Sequence, residues 1–222
     1  MVSEQEAAVV AERGAGSGPD TPGRRVPGVL AKGDAPFAWL VSDGFEPRNW
    51  MLALTPLIGW RADGVTGAVW GLFAALFTSV LPSVILSFGE RRSYWSDRHV
   101  RLRQERLVAG PVVLASVITG TGLLYGLEAT RDVCVLVAAM LAVLLALMLI
   151  TFFWKVSVHC AVAAGALAVL AALHGPVMVV MAPLVALIGW SRVRLRCHTV
   201  PQAAVGACVG LIVGTVAFDL LR

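Results

Sequence analysis

Residues 133–154 read VCVLVAAMLAVLLALMLITFFW and contain no charged side chain. At about 1.5 Å of rise per residue, a helix of this length matches the roughly 30 Å hydrocarbon core of a bilayer. A backbone N–H or C=O group left unpaired in hydrocarbon costs several kcal/mol, so the run has to be helical there. The stretch therefore predicts a transmembrane helix and places the chain among membrane proteins.

The composition of the whole chain agrees with this assignment. Of the 222 residues, 58% are apolar and only 14% are charged, whereas a soluble domain has about 45–50% and about 25%. This balance excludes water-soluble globules, disordered chains and collagen-like chains. The four cysteines form no CxxC pair, which argues against a zinc site or a disulfide framework. The formal net charge is +4, but no Lys/Arg run is interleaved with aromatic residues, so no nucleic-acid partner is expected.

Five further apolar runs accompany residues 133–154. Together the six runs predict an all-α fold, a polytopic membrane helix bundle of about six transmembrane helices that occupies residues 64–222. Gly and Ala are frequent in the fourth and sixth runs, and small residues allow helices to approach closely. These two runs are therefore expected to form the packed centre. The six runs cover residues 65–88, 108–127, 133–154, 157–173, 176–190 and 200–218.

The N-terminal region is expected to differ from the bundle. Residues 1–36 are rich in Gly, Ala, Pro, Ser and charge, which predicts a disordered tail. The start is acidic and its apolar run is too short for a cleavable signal peptide. Residues 37–63 are apolar but interrupted by charges and by Pro56, and their tryptophans are typical of the headgroup level. We interpret 37–63 as an interfacial segment, with an additional transmembrane helix as the alternative.

Counting the crossings sorts the loops onto two faces. Loop 89–107, junction 154–157 and loop 191–199 are separated by two runs each and share one face, which we call the basic end. Both termini, the Glu128–Asp132 turn and His174 fall on the other face, the opposite end. The basic end carries ten basic residues and three of the four histidines, namely Arg91, Arg92, Arg98, Arg101, Arg103, Arg106, Lys155, Arg192, Arg194, Arg196, His99, His159 and His198.

Two polar stretches at the basic end open the fourth and sixth runs. His159 and His198 each fall near the first turn of a helix, where backbone N–H groups and the positive end of the helix dipole favour phosphate. Arg192 can bind two phosphate oxygens through its forked guanidinium group. Gln202 is four residues after His198 and shares its helical face, so it can orient the imidazole. This arrangement predicts a phosphate-bearing ligand at the basic end.

The second of these stretches resembles a signature of the type 2 phosphatidic acid phosphatase superfamily of integral membrane lipid phosphatases. That signature is SR-x5-H-x3-D, and Ser191, Arg192 and His198 match it at the right spacing, with Gln202 in place of Asp. The sequence RVRLRCHTVPQ is most similar to the dolichyl diphosphatase branch, which also has His-Thr-x-x-Gln. The resemblance covers residues 65–218 and implies a six-helix membrane phosphatase.

The other two signatures of the family are matched less closely. The second, PSGH, appears as VSVH at residues 156–159, where the Ser and His match and the Pro and Gly do not. The first, K-x6-RP, is missing at its usual place after the third run. Its nearest counterpart is residues 97–106, between the first and second runs. The resemblance then implies phosphate binding by Arg192, Ser157, Lys155, Arg106 and Arg103.

The resemblance implies phosphoryl transfer that needs no metal or other cofactor. His198 would attack the terminal phosphorus, and His159 would protonate the leaving oxygen as general acid. Gln202 can orient His198 but lacks the negative charge of an Asp. A diphosphate substrate compensates in part because its leaving group is a phosphate, so we expect a polyprenyl diphosphate as the lipid substrate. Asp97 is expected to orient the nearby arginines or, alternatively, only to neutralise their charge.

Several alternatives stay open at this point. The alternative enzyme is a phosphatidate or phosphatidylglycerophosphate-type phosphatase, and the alternative outside enzymes is a catalytically silent lipid-binding relative. A transporter is disfavoured because the six runs contain no acidic residue.

Charge counting predicts a cytoplasmic basic end, whereas diphosphatases of carrier lipids imply the extracytoplasmic face. The preference for Arg over Lys is typical of a GC-rich bacterial gene and predicts a multi-pass protein of a bacterial cell membrane. No feature sets an oligomeric state.

Overall fold

A computed structural model describes residues 29–30, 32–95 and 102–222 of the chain. Across these ranges the secondary structure is helical, without a β-strand, which confirms the predicted all-α class. A π-helical turn, Leu76–Val80, joins α2 to α3, and a 3₁₀ segment, Pro176–Met181, precedes α7. The α-helices are α1 Pro36–Gly44, α2 Pro47–Ala75, α3 Leu81–Arg91, α4 Arg103–Gly126, α5 Arg131–Phe153, α6 Val158–His174, α7 Ala182–Arg194 and α8 Val200–Leu221.

The helices have the lengths and apolar surfaces of a polytopic membrane protein. Five helical stretches in the described part of the chain are long and apolar enough to cross a bilayer. The helix α6 is apolar but shorter, with 17 residues. Residues 1–28 of the predicted disordered tail lie outside the described residues. The five stretches are Pro36–Arg91, Arg103–Gly126, Arg131–Phe153, Pro176–Arg194 and Val200–Leu221.

The helix α2 is folded back on itself. Helical geometry breaks at Gly64, whose φ of +52° lies in the left-handed region that favours glycine. The two limbs on either side pack backbone to backbone, since a Cβ atom on Gly67 would lie only 2.0 Å from the carbonyl oxygen of Gly59. Likewise, a Cβ atom on Gly71 would lie 2.3 Å from the oxygen of Thr55. Glycines on facing sides of a hairpin thus allow its tight closure.

The first limb of α2, residues 47–62, runs from one end of the bundle to the other. Just before it, Glu46 lines a cavity together with His159 at the basic end. Near its other end, Arg61 donates a hydrogen bond to the carbonyl oxygen of Leu173 at 3.1 Å, in the last turn of α6. The limb therefore adds a helical segment that crosses the whole bundle.

The structure differs here from the predicted interfacial segment 37–63. Met51, Leu54 and Ile58 are buried in the main core, among side chains of α5 and α6. Because the limb adds a crossing, residues 29–45 lie at the basic end, whereas the count of six runs placed the N-terminal side at the opposite end. The charges that interrupt the apolar pattern fall near the ends of this limb, which explains why the sequence pattern indicated a surface layer.

The helices α6 and α8 form the closest helix pair at the centre, as their small residues predict. A Cβ atom on Gly210 would lie 1.9 Å from the oxygen of Ala161, and one on Gly206 would lie 2.5 Å from the oxygen of Ser157. Backbone atoms cannot give way as flexible side chains can, so both positions require glycine. This contact fixes the first turns of the two helices beside each other at the basic end.

Candidate functional site

The first turn of α6 is tied directly to the first turn of α8. Ser157 is the N-cap of α6, and its hydroxyl accepts a hydrogen bond from the Cys160 N–H at 3.4 Å. The Ser157 N–H donates to the carbonyl oxygen of Gln202 at 3.1 Å. His159 follows in the first turn and is buried, with 7% of its surface exposed. The two predicted histidine stretches therefore meet at one place.

The loop between α7 and α8 presents His198. The backbone N–H groups of Cys197 and His198 both donate to the carbonyl oxygen of Arg192, at 3.0 and 3.2 Å, and close the end of α7. Thr199 and Gln202 then form a capping box that begins α8. His198 is buried between these two features, with 6% of its surface exposed. Sequence spacing predicted it near the first turn of this helix, and the structure places it in the loop, one residue before the N-cap Thr199.

Gln202 contacts the imidazole as its position on the helix predicts. The Nδ1 atom of His198 lies 3.3 Å from Oε1 of Gln202. The same oxygen accepts a hydrogen bond from the Thr199 N–H at 3.1 Å, which fixes the amide with its oxygen toward the imidazole. Because this oxygen can only accept, the proton of a neutral imidazole belongs on Nδ1 and the lone pair on Nε2. The Nε2 lone pair of His198 is thereby left free of the contact with Gln202.

Arg192 is the most deeply buried cation of the site, with 1% of its surface exposed. Its Nη1 donates to Oγ of Ser42 in α1 at 2.5 Å. Ser42 is itself buried, and the short helix α1 thus covers the guanidinium group. The N-terminal region was predicted to lie apart from the site, so sequence reasoning missed this contact.

Two further cations lie around His198. Arg106 reaches from α4 and donates through Nη1 to the carbonyl oxygen of Val156 at 2.8 Å, just before α6. Burial is the main cause that lowers the pKa of His198 well below its usual value, and the charges of Arg106, Arg192 and Lys155 lower it further. The hydrogen bond from Gln202 acts in the other direction. The neutral form of His198 is therefore favoured at neutral pH.

The other predicted phosphate ligands are placed differently. Arg103 donates through Nε to the carbonyl oxygen of Thr151 at 2.8 Å and through Nη2 to that of Phe152, at the C-terminal end of α5. It therefore caps α5 and does not join the cations around His198. Asp97 lies outside the described residues. Within the described ranges, no three His, Cys, Asp or Glu side chains form a group that could hold a metal ion.

A cavity of about 250 Å³ opens between α2, α3, α4, α5 and α6. Its lining is mainly apolar and extends on α5 from Met140 to Thr151, about 16 Å along the helix axis. His198 and Arg192 are not among the lining residues, and Arg192 is covered by α1 through Ser42. The charged or titratable side chains of the lining are Glu46, Arg48, Arg106 and His159.

Glu46 and Arg48 are lining residues that the sequence reasoning did not single out. Both were taken as interruptions of an apolar segment and not as members of a site. A signal was present, since Glu46 is a carboxylate in an otherwise apolar stretch, and buried charges are rare unless they are paired. Its pairing with Arg48, at 2.5 Å between Oε2 and Nε, is visible only in the structure.

Comparisons with known proteins provide no independent assignment. No protein-family model matches the chain, and neither a curated protein nor a solved structure is found to match it. The geometry of the site itself therefore carries the functional argument.

Proposed function

We propose that the protein is a membrane lipid phosphatase that removes the terminal phosphate of a polyprenyl diphosphate in a bacterial cell membrane. The observation that carries the proposal is the meeting of two buried histidines at one end of the bundle. His198 is held by Gln202, and the buried Arg192 and the half-buried Arg106 lie around it. Neutral imidazole beside clustered cations is the combination that attack on an anionic phosphate requires.

The proposed reaction has two steps. In the first, the Nε2 lone pair of His198 forms a bond to the terminal phosphorus, and the bond from phosphorus to the bridging oxygen breaks. The lipid monophosphate leaves with that oxygen and takes a proton from His159. In the second, water attacks the phosphorus, its proton passes to His159, and the N–P bond electrons return to His198. The products are the lipid phosphate and inorganic phosphate.

The mainly apolar cavity supports a lipid as the substrate. It begins beside His159 and Arg106 and continues about 16 Å into the bundle. A hydrocarbon chain in this space would be removed from water, while its anionic headgroup stayed near the cations. Arg106 would neutralise developing charge on the phosphate oxygens, which is the main demand of phosphoryl transfer.

A second candidate is a lipid-binding membrane protein without catalysis. One observation favours it, namely that α1 covers the site through the contact of Ser42 with Arg192. A phosphate could reach Arg192 only if α1 moved, whereas the cavity at His159 needs no such movement. A phosphatidate phosphatase is the alternative substrate assignment, and the same experiment separates all three.

The test is phosphate release by the full chain in detergent with EDTA present. Polyprenyl diphosphate and phosphatidate are offered in parallel, and inorganic phosphate is measured. We expect release from the diphosphate, and a loss of at least about 10³-fold in His198→Ala, because the nucleophile is removed. The matched control is His174→Ala at the exposed opposite end, where release should be unchanged.

Each other outcome has a definite meaning. Release that survives in His198→Ala would contradict the histidine mechanism. Faster phosphate release from phosphatidate than from the diphosphate would make phosphatidate the substrate. If neither lipid releases phosphate, while vesicles containing the diphosphate still bind the protein, the silent lipid-binding candidate is the correct one.

A further inference from the structure

Glu46 is a buried carboxylate that the proposed reaction does not use. Only 5% of its surface is exposed, and it lines the cavity. Among the described residues of the lining it is the single acidic side chain. Removing a carboxylate from water is costly unless the surrounding charges compensate. A buried acid in a cavity with a titratable imidazole therefore calls for a functional explanation.

Glu46 and the first turn of α6 line the same cavity. Glu46 is the N-cap residue of α2, and its carbonyl oxygen accepts hydrogen bonds from the N–H groups of Asn49 and Trp50, at 2.9 and 3.3 Å. The ring of Trp50 packs beside that of Phe45, with 6.0 Å between their centroids. Both rings contact the apolar cluster that contains Cys160. Phe45 and Trp50 thus pack against the same apolar cluster that contains Cys160, the residue after His159.

The charges around the cavity define what Glu46 can do there. Arg48 and Arg106 line the cavity as cations, and such charges disfavour a protonated imidazole. A carboxylate acts in the opposite direction and stabilises the imidazolium form. Glu46 is held in turn by Arg48, whose Nε lies 2.5 Å from its Oε2. The charged side chains that share the cavity with His159 are Glu46, Arg48 and Arg106. The neighbouring elements also carry Arg103 and the buried Glu105 in α4, Lys155 before α6, and Arg192 and His198 at the end of α7 and in the loop after it.

We propose that Glu46 is the positioning residue of His159 and that its carboxylate keeps the imidazole protonated for donation to the leaving oxygen. This inference rests on the proposed function, in which His159 is the general acid. It also assigns different protonation states to the two histidines. His198, among cations, is neutral and attacks, whereas His159, opposite a carboxylate in the cavity, carries the proton. Two such groups with opposite environments are the usual basis of acid and base assignments.

The electrostatic part is tested without any turnover. The full chain in detergent is labelled with ¹⁵N-histidine, and the imidazole signals are followed against pH by NMR, with His159→Gln identifying the signal of His159. In Glu46→Gln the titration midpoint of His159 should be lower than in wild type by about one pH unit or more. Glu46→Asp keeps the charge and should restore most of the difference. Asp132→Asn, at the opposite end, is the matched control and should leave the midpoint unchanged.

The catalytic part is read from the pH dependence of phosphate release. As pH rises, His159 loses its proton and phosphate release falls, which gives the alkaline limb of the pH–rate profile. Glu46→Gln should therefore move this limb to lower pH, and Glu46→Asp should move it back. An unchanged midpoint and an unchanged limb in Glu46→Gln would overturn the inference. Absence of release from the wild-type protein would overturn the proposed function instead, and the NMR titration distinguishes the two failures because it requires no substrate.

Discussion

The two ends of the bundle both carry arginines, but they use them differently. At the opposite end, Arg61 donates to the oxygen of Leu173 at 3.1 Å and lies 3.8 Å from the carboxylate of Asp132. Arg222 donates to the oxygen of Ala172 at 3.4 Å. These guanidinium groups cap the C-terminal carbonyls of α6, and the side chain of Arg61 is 40% exposed. Their role is to complete a helix end.

At the basic end, one buried and two half-buried cations act together on one imidazole. Burial lowers the pKa of His198, and the charges of Arg106, of Arg192, which is 1% exposed, and of Lys155 lower it further. Grouping like charges away from water destabilises a fold unless another interaction repays it, and the resulting positive potential attracts anions. The comparison shows that the burial and grouping of arginines, more than their number, identify the site.

Replacing one arginine at each end by alanine should give the largest difference in phosphate release. Arg192→Ala removes a proposed phosphate ligand, so we expect phosphate release to fall by about 10²–10³-fold. Arg61→Ala should leave release unchanged and lower the free energy of unfolding by about 1 kcal/mol, because a partly exposed cap is lost. Phosphate release and thermal unfolding in detergent measure the two effects. Arg192→Lys, which keeps the charge without the fork, should recover only part of the activity.

If Arg192→Ala and Arg61→Ala lose phosphate release and stability to the same extent, the two ends do not use their arginines differently. Thermal unfolding of Arg192→Ala serves as the control here. A transition close to that of wild type shows that the loss of activity comes from the site.

The contact between α6 and α8 should be the most sensitive helix packing at the basic end. In Gly206→Ala the new Cβ would lie 2.5 Å from the oxygen of Ser157, so the two helices must separate. We expect a loss of about 1–3 kcal/mol in the free energy of unfolding, together with lower activity. Gly122→Ala in α4 is the matched control, since no atom lies within 4 Å of its added Cβ. This control should be neutral or slightly stabilising, and equal destabilisation of both variants would contradict the account.

The contact of α1 with Arg192 should contribute less to the free energy of unfolding than the packing of α6 against α8. Ser42→Ala removes the acceptor of a buried guanidinium N–H, and we expect a loss of about 1–2 kcal/mol in the free energy of unfolding. Ser83→Ala is the matched control, because the Ser83 hydroxyl only bonds the carbonyl oxygen of Ser79 one turn earlier, at 2.7 Å. Denaturant unfolding in detergent compares the two. If Ser42→Ala proves as neutral as its control, α1 does not hold Arg192.

The smallest effect is expected in the pH dependence of the rate. His198 has to be neutral to attack, and its lowered pKa places the acidic limb of the rate below the ordinary histidine range. Lys155 is one cause of the lowering, so Lys155→Met should raise the pKa and move this limb toward neutral pH. Lys32→Met, at an exposed position, should not move it. A limb that moves to lower pH in Lys155→Met would contradict the assignment of His198.

The sequence was sufficient for the membrane class and for the meeting of the two histidine stretches. Apolar run length determines a transmembrane helix, and crossing parity placed His159 and His198 at one end. The small residues of the fourth and sixth runs also predicted the central pair, because close approach needs glycine at positions such as Gly206 and Gly210. These are properties that depend on local composition and on order along the chain.

The first limb of α2 and the choice among arginines could not be predicted. The limb 47–62 is stabilised by glycines that meet only after the chain folds back at Gly64. Arg103 and Arg106 are three residues apart in α4, yet one caps α5 and the other reaches Val156. Which carbonyl oxygen each guanidinium group contacts depends on how α4 packs against its neighbours.

The most direct test of the central claim is to trap the phosphorylated residue. A diphosphate labelled with ³²P in its terminal phosphate is mixed with the full chain, and the reaction is quenched in alkali, which preserves a phosphate on histidine. We expect label in the tryptic peptide that begins at Cys197 and none in His198→Ala. Label on a residue other than His198 would contradict the histidine mechanism. So would phosphate release without any labelled protein, at a rate that His198→Ala does not change.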